Sequence, residues 1–178
     1  MKIILINGKA RSGKDTLASL LKGKLSDKKV LIRGNAQTVK DCAKKYFNWD
    51  GKKDTKGRQL LIDITNLGYK QDQYHWDRLT LDYALQKDNY DYLIIPDWRY
   101  MSTYEYLKEE GFDVITIYRQ RNIDNKLPSS LKNDISEQGF NMTYDLEVRG
   151  DIMKNSYIID VIVEKLEEET IGSQHKTS

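Results

Sequence analysis

Nine residues near the start of the chain, Gly8-Lys9-Ala10-Arg11-Ser12-Gly13-Lys14-Asp15-Thr16, put two glycines, three cations and a carboxylate into one short stretch. Gly8, Gly13 and Lys14 stand at the spacing G-x-x-x-x-G-K of a loop that cradles phosphate. Glycines let such a backbone curl until consecutive N–H groups point inward, and a helix starting in the loop adds partial positive charge. The lysine then reaches the β and γ phosphates, so Gly8 and Ala10 to Thr16 are read as the binding residues for ATP, with Lys14 catalytic. A tight strand-to-helix turn with a solvated lysine is the competing explanation, and it leaves both glycines as coincidence. After the lysine such loops ordinarily carry Ser or Thr, whose hydroxyl binds magnesium; here Asp15 comes first and Thr16 next. A carboxylate holds Mg²⁺ directly or through the waters this ion keeps, so Asp15 and Thr16 are candidate metal ligands.

A second carboxylate, Asp97 in Ile94-Ile95-Pro96-Asp97-Trp98-Arg99-Tyr100, follows a buried apolar run. The C-terminal end of such a strand is where ligands of open α/β sheets bind, and where phosphate-loop enzymes hold magnesium or its waters. Arg58 opens a helix and has the planar fork that clamps a phosphate, although on spacing alone it reads as a solvated surface residue. Arg119 and Arg121 lie where a fourth strand gives way to a long polar segment. His75 reads as a packing or surface residue and His175 belongs to the tail. With Cys42 as the single cysteine, no zinc or nucleophilic constellation is available, which fits a transfer without a covalent intermediate.

Short apolar runs alternate with longer amphipathic stretches, the pattern of a parallel sheet covered by helices. Strands are expected at Lys2–Asn7, Lys29–Arg33, Tyr92–Ile95, Phe112–Tyr118 and Thr143–Val148. The first helix starts inside the loop and repeats Leu17, Leu20, Leu21 and Leu25 at three to four residue spacing. Further helices are expected at Ala36–Phe47, Gly57–Leu67, Tyr74–Gln86, Ser102–Glu110 and Ile152–Glu169, with Gly68 separating the third from the fourth. The fold class is therefore α/β: a three-layer sandwich with about five parallel strands. It makes one domain over residues 1–170 with a flexible tail at 171–178.

Composition sets the outer bounds. At 178 residues the chain holds one full core, and 31% charged against 39% hydrophobic residues is a water-soluble balance. A net charge of +2 supplies no field for tracking nucleic acid, so any anion site is a local cluster. The run Ile3-Ile4-Leu5-Ile6 is too short for a signal peptide or a membrane span, so a cytoplasmic location is expected, without a membrane partner.

The loop, written G-x-x-x-S-G-K-D-[ST], resembles that of bacteriophage-type deoxynucleoside monophosphate kinases and the related animal-type phosphomevalonate kinases, through Gly8, Ser12, Gly13, Lys14, Asp15 and Thr16. Asn35-Ala36 to Lys40 is similar to their F-A-x-x-x-K stretch, with Asn35 in place of the aromatic residue. Arg58, Leu60-Leu61, Gly68 and Trp76 are similar to R-x-L-L-x-x-x-G…W, and Asp97, Arg99 and Tyr100 to D-x-R-[YF]. Where family members carry a glutamate six residues beyond that aspartate, this chain has Thr103.

The resemblance implies a P-loop fold like that of nucleoside monophosphate kinases, with an acceptor-binding helical segment over about 35–88 and a lid over about 119–141. It implies acceptor contacts from Lys40, Arg58, Trp76, Asp97 and Arg99, metal contacts from Asp15, Thr16 and Asp97, and charge neutralisation by Arg99, Arg119 and Arg121. Lys126, Lys132 and the pair Ser136-Glu137 are further lid candidates. The implied activity is transfer of the γ-phosphoryl of ATP to a nucleoside or deoxynucleoside monophosphate, with Mg²⁺. Phosphomevalonate or dephospho-coenzyme A remain open as acceptors, as does a module that binds ATP without chemistry. Partners are small-molecule nucleotides, with a homodimer left open.

Overall fold

A computed structural model describes residues 1–120, 142–153 and 157–174, the side chains up to residue 168. Strand β1 (Lys2–Asn7) is buried at every position, as a central parallel strand covered on both faces must be. It lies between β3 (Tyr92–Ile95) and β4 (Asp113–Gln120), with β2 (Val30–Ile32) beyond β3 and β5 (Leu146–Arg149) beyond β4. All four pairings are parallel, and the order is β2-β3-β1-β4-β5.

Alternate residues of β1 serve opposite layers, as the two-residue period of a strand requires. Ile4 and Ile6 pack with Leu17 and Leu21 of α1 (Lys14–Lys24) and with Ile159, Ile162 and Leu166 of α6 (Tyr157–Gln174). Ile3 and Leu5 pack with Leu81 and Ala84 of α4 (His75–Lys87) and Leu107 of α5 (Met101–Glu109). Between β2 and β3 the chain also forms α2 (Asn35–Phe47) and α3 (Thr55–Gln71). These two helices and α4 enclose a separate small core of Val39, Ala43, Ile64 and Trp76. Lys2 sits in the sheet at 7% exposure because its ammonium donates to the Leu166 carbonyl at 3.0 Å and pairs with Asp113 at 3.3 Å. Among the described residues no helix is long and apolar enough to cross a membrane.

Several boundaries differ from expectation for identifiable reasons. Gly68 does not end a helix; α3 runs through it, because a Cβ there would lie 2.4 Å from the Trp76 indole nitrogen, and the missing side chain lets α4 dock. The break falls at Asp72, whose carboxylate accepts the Tyr74 N–H at 3.1 Å and so turns the chain. Strand β4 continues to Gln120 because Arg119 and Gln120 find partners in Val148 and Arg149 of β5. The closing helix starts at Tyr157, later than the expected Ile152, and extends to Gln174, taking in the first residues of the expected tail.

Candidate active site

Gly8 follows β1 directly with φ 144°, Arg11 takes φ 61° and Gly13 takes φ 91° as it caps α1. Three left-handed residues within six positions curl the backbone tightly, the kind of loop in which an amide nest for anions forms. Arg11 is the costly member, since a side-chain-bearing residue avoids that region unless surrounding structure holds it there. The loop is braced internally: Ser12 N–H donates to the Lys9 carbonyl at 3.1 Å, and Leu17 N–H to Gly13 at 2.9 Å opens the helix. Lys14 folds back across the nest, its ammonium donating to the carbonyls of Gly8 at 2.5 Å and Lys9 at 2.8 Å. That places the ammonium over the loop mouth. Ser12 is 1% exposed, and its hydroxyl has no hydrogen-bond partner.

Asp97 stands beyond the end of β3, adjacent to β1 in the sheet, as sequence position implied. One carboxylate oxygen accepts the Ala36 N–H at 2.8 Å, capping α2, whose own cap residue Gly34 has no side chain for the task. The other oxygen is buried without a hydrogen-bond partner. A Cβ on Gly34 would lie 1.6 Å from that oxygen, so the glycine is what admits the carboxylate. Burial, above all, raises the Asp97 pKa over the usual carboxylate value; the Ala36 amide and the Arg99 charge oppose this, and the nearby Asp15 charge adds to it.

The Asp97 carboxylate, with one bare buried oxygen and the Asp15 charge acting on it, is a donor suited to a cation. Magnesium fits, since it takes one or two carboxylates together with phosphate oxygens and water rather than an all-protein cage. Among the described residues no cluster of three or more His, Cys, Asp or Glu offers such a cage. Because burial disfavours the charged form, Asp97→Asn should raise Tm in the metal-free, nucleotide-free chain at neutral pH. The folded-state pKa lies above the unfolded one, so this gain should shrink as pH falls through the carboxylate range. A Tm series in EDTA between pH 4 and 8 checks it; a lowered Tm at neutral pH would contradict the assigned burial cost.

Beside Asp97 lies a cavity of ≈ 140 Å³ bounded by α2, α3, the start of α4, the end of β3 and the start of α5. Asn35, Val39, Tyr69, Trp76, Arg99 and Thr103 contribute to its walls. Trp76 is 2% exposed and fixed by its indole N–H to the Thr65 carbonyl at 3.0 Å, so it reaches the cavity from a locked position. Lys40 follows Ala36 by one turn of α2 and is half-buried, but does not line the cavity. Arg58 does not reach it: the Asp54 cap begins α3 elsewhere, and the guanidinium turns onto the Lys53 carbonyl at 2.8 Å.

Arg119 is no surface cation. At 2% exposure within β4, it donates to the carbonyls of Gln120 at 2.8 Å, Val148 at 3.1 Å and Gly150 at 2.7 Å. Its guanidinium passes within 3.8 Å of where a Gly13 Cβ would be, so it supports the phosphate loop from beneath. Arg121, Lys126, Lys132, Ser136 and Glu137 lie outside the described residues. His75 is half-buried with its ring edge-on to Trp76 at 4.8 Å, a packing residue as expected.

Three contributors were not read from the sequence. Asn7 ends β1 and donates to the Trp98 carbonyl at 2.9 Å while accepting from the Tyr144 hydroxyl at 3.2 Å, tying the loop entrance to the end of β3. Asp77, on α4, is 4% exposed and accepts the Asn35 amide at 2.7 Å. Thr80 donates to the Asn35 carbonyl oxygen at 2.9 Å and meets the Thr38 hydroxyl at 2.7 Å. The only sequence signal was Asn35 itself, a polar residue where an aromatic was expected.

No protein-family model matches the chain. Over 61% of its length it is 25% identical to phosphomevalonate kinase of Drosophila melanogaster, and it spans 61% of that protein. Among solved structures it is similar to the APS kinase of Mycobacterium tuberculosis in complex with AMPPNP and APS, with a TM-score of 0.55 and 14% identity over 93% of this chain and 97% of that one. A putative kinase from Chloroflexus aurantiacus gives 0.55 and 11% over 94% and 96%. Shikimate kinase from Aquifex aeolicus gives 0.50 and 15% over 96% and 99%. At such identities the likeness is one of fold. The chain shares the fold of these solved kinases, a five-stranded parallel sheet flanked by helices.

Proposed function

We propose that this chain transfers the γ-phosphoryl group of ATP to the phosphate of a nucleoside or deoxynucleoside monophosphate. The observation that carries the reading is the juxtaposition of a phosphate nest after β1 with an aromatic-walled cavity beside Asp97 at the end of the neighbouring strand. A donor in the nest and a ring in the cavity bring two phosphates together over the strand ends. An acceptor phosphate oxygen, already anionic at neutral pH, forms a bond to the γ phosphorus as the bond to the β–γ bridging oxygen breaks, and ADP leaves. No general base is required, so the protein contributes positioning and charge neutralisation.

Lys14 and the loop amides hold the donor phosphates. Asp15, Thr16 and Asp97 are the residues that would hold Mg²⁺, which when bound offsets negative charge on the phosphates. Arg99, exposed at the cavity edge, is the described cation best placed for the acceptor phosphate. Arg58 and Lys40 serve there only if the helical segment 35–88 closes further over the strand ends. Arg121 is retained as a proposed lid cation.

The similarity to phosphomevalonate kinase favours a second acceptor, phosphomevalonate, reached by the same transfer. Coupled ADP release across the common nucleoside and deoxynucleoside monophosphates and phosphomevalonate separates the two. Turnover with at least one nucleotide well above the phosphomevalonate rate is the expected result. Turnover with phosphomevalonate alone overturns the nucleotide reading. ATP binding with no turnover on any acceptor leaves a non-catalytic ATP module.

A further inference from the structure

An asparagine amide has two N–H donors and two acceptor lone pairs, and turning it over exchanges them. At Asn35 that exchange is blocked. Its nitrogen faces an oxygen of the Asp77 carboxylate, which when ionised can only accept, and its oxygen receives the Thr80 hydroxyl. Thr80 is 1% exposed, Asp77 4% and Thr38 6%, so water does not compete for these bonds. The start of α2 already has the Asp97 carboxylate as its cap, so Asn35 is not needed for capping. Each of these two anchors uses one donor or one lone pair of the amide, and the Tyr69 hydroxyl on the cavity wall engages one of the two groups that remain, so Asn35 and Tyr69 together present a polar edge to the cavity.

The cavity matches a flat ring. Its ≈ 140 Å³ is close to the volume, about 150 Å³, at which a protein cavity accepts benzene. Tyr69 and Trp98 supply aromatic wall, Val39 and Ile95 aliphatic wall, and Asn35 and Thr103 polar atoms. The Tyr69 hydroxyl also interacts with Asn35. An amide held in one orientation beside a hydroxyl of fixed position favours the ring edge whose donors and acceptors complement the two, the principle by which fixed polar side chains read bases.

Resting on the nucleotide reading above, we propose that Asn35, locked by Asp77 and Thr80, is the specificity-determining residue that reads the base edge of the acceptor. Asp77 is a positioning residue that acts through it. With the ring anchored through its phosphate, an aminopyrimidine or adenine edge pairs with a fixed amide in one sense only. Locking the amide therefore ranks the bases.

The test uses a paired exchange. Asn35→Asp alone sets two carboxylates together, and Asp77→Asn alone frees the Asn35 amide to turn; either can lower stability. The double variant Asn35→Asp/Asp77→Asn restores an amide-to-carboxylate hydrogen bond with the roles reversed, and presents an acceptor-only group to the cavity. Binding of each common nucleoside monophosphate, of phosphomevalonate and of ATP is measured by calorimetry on the full chain, beside Tm. The expected result is a double variant with Tm nearer to wild type than the less stable single variant, ATP affinity unchanged, and a base ranking altered by about tenfold or more for the preferred acceptor. A double variant that recovers both Tm and the wild-type ranking makes the network purely structural and overturns the proposal. Wild-type binding without preference among bases, or to phosphomevalonate alone, also overturns it. A nucleotide that binds with preference but is not phosphorylated sinks the transfer reaction and leaves the base-reading site standing.

Discussion

Lys14→Ala lowers ATP-dependent turnover by about 10²–10³-fold, the loss seen when one preorganised donor to a developing charge is removed. The ammonium lies over the loop mouth on the carbonyls of Gly8 and Lys9, so it needs only to exchange two neutral acceptors for phosphate oxygens. A phosphate oxygen adds ion-pair attraction that a neutral carbonyl lacks, and that difference drives the exchange. Because the same bonds brace the loop, Lys14→Met is the companion variant: it keeps the aliphatic stem and loses only the charge. Both variants should unfold within a few degrees of wild type while turnover collapses. Single-turnover kinetics with saturating ATP check this, and near-normal rates in either variant would remove the loop from the chemistry.

Gly8→Ala acts on folding instead. A Cβ at Gly8 would lie 2.2 Å from the Arg119 carbonyl oxygen, and φ there is 144°, outside the range of an alanine. That carbonyl belongs to Arg119 of β4, which pairs with Val148 of β5 and directly follows Tyr118, paired with Asn7 of β1, so it has little room to retreat. Relief requires moving either the loop or the sheet, so the loss should exceed about 4 kcal/mol, in the class reserved for core damage and special backbone sites. For a chain of this size that is roughly 10 °C in Tm. Thermal unfolding followed by circular dichroism measures it; a drop of only a degree or two would mean that the loop and β4 part easily.

These two sites differ in how much of them the sequence exposes. The phosphate nest is contiguous, so its glycines, its lysine and the strand before it were legible as a unit, and Asp97 was legible from the apolar run that places it at a strand end. What failed to show was what neighbours across space decide. Arg58 stands at a helix start as expected, yet which way α3 leaves the turn is fixed by the Asp54 cap and by Gly57, where a Cβ would meet the Lys52 carbonyl at 2.1 Å. Arg119 reads as the beginning of a polar segment because its burial comes from carbonyls 29 and 31 residues later. Asp77 reads as the wet face of an amphipathic helix; hydrogen bonds from Asn35, 42 residues earlier, and from Thr103 make its burial tolerable. Burial without apolar character leaves no periodic trace.

The small core of Val39, Ala43, Ile64 and Trp76 belongs to the three helices between β2 and β3, and none of the sheet's strands contributes to it. Under the proposed reading, substitutions at Asn35, Val39, Tyr69 or Trp76 reshape acceptor choice from within that insert and leave the donor half of the site intact. Preference for one acceptor over another can therefore drift through evolution without renegotiating ATP binding, and grafting residues 35 to 87 onto a related sheet should carry the preference with it.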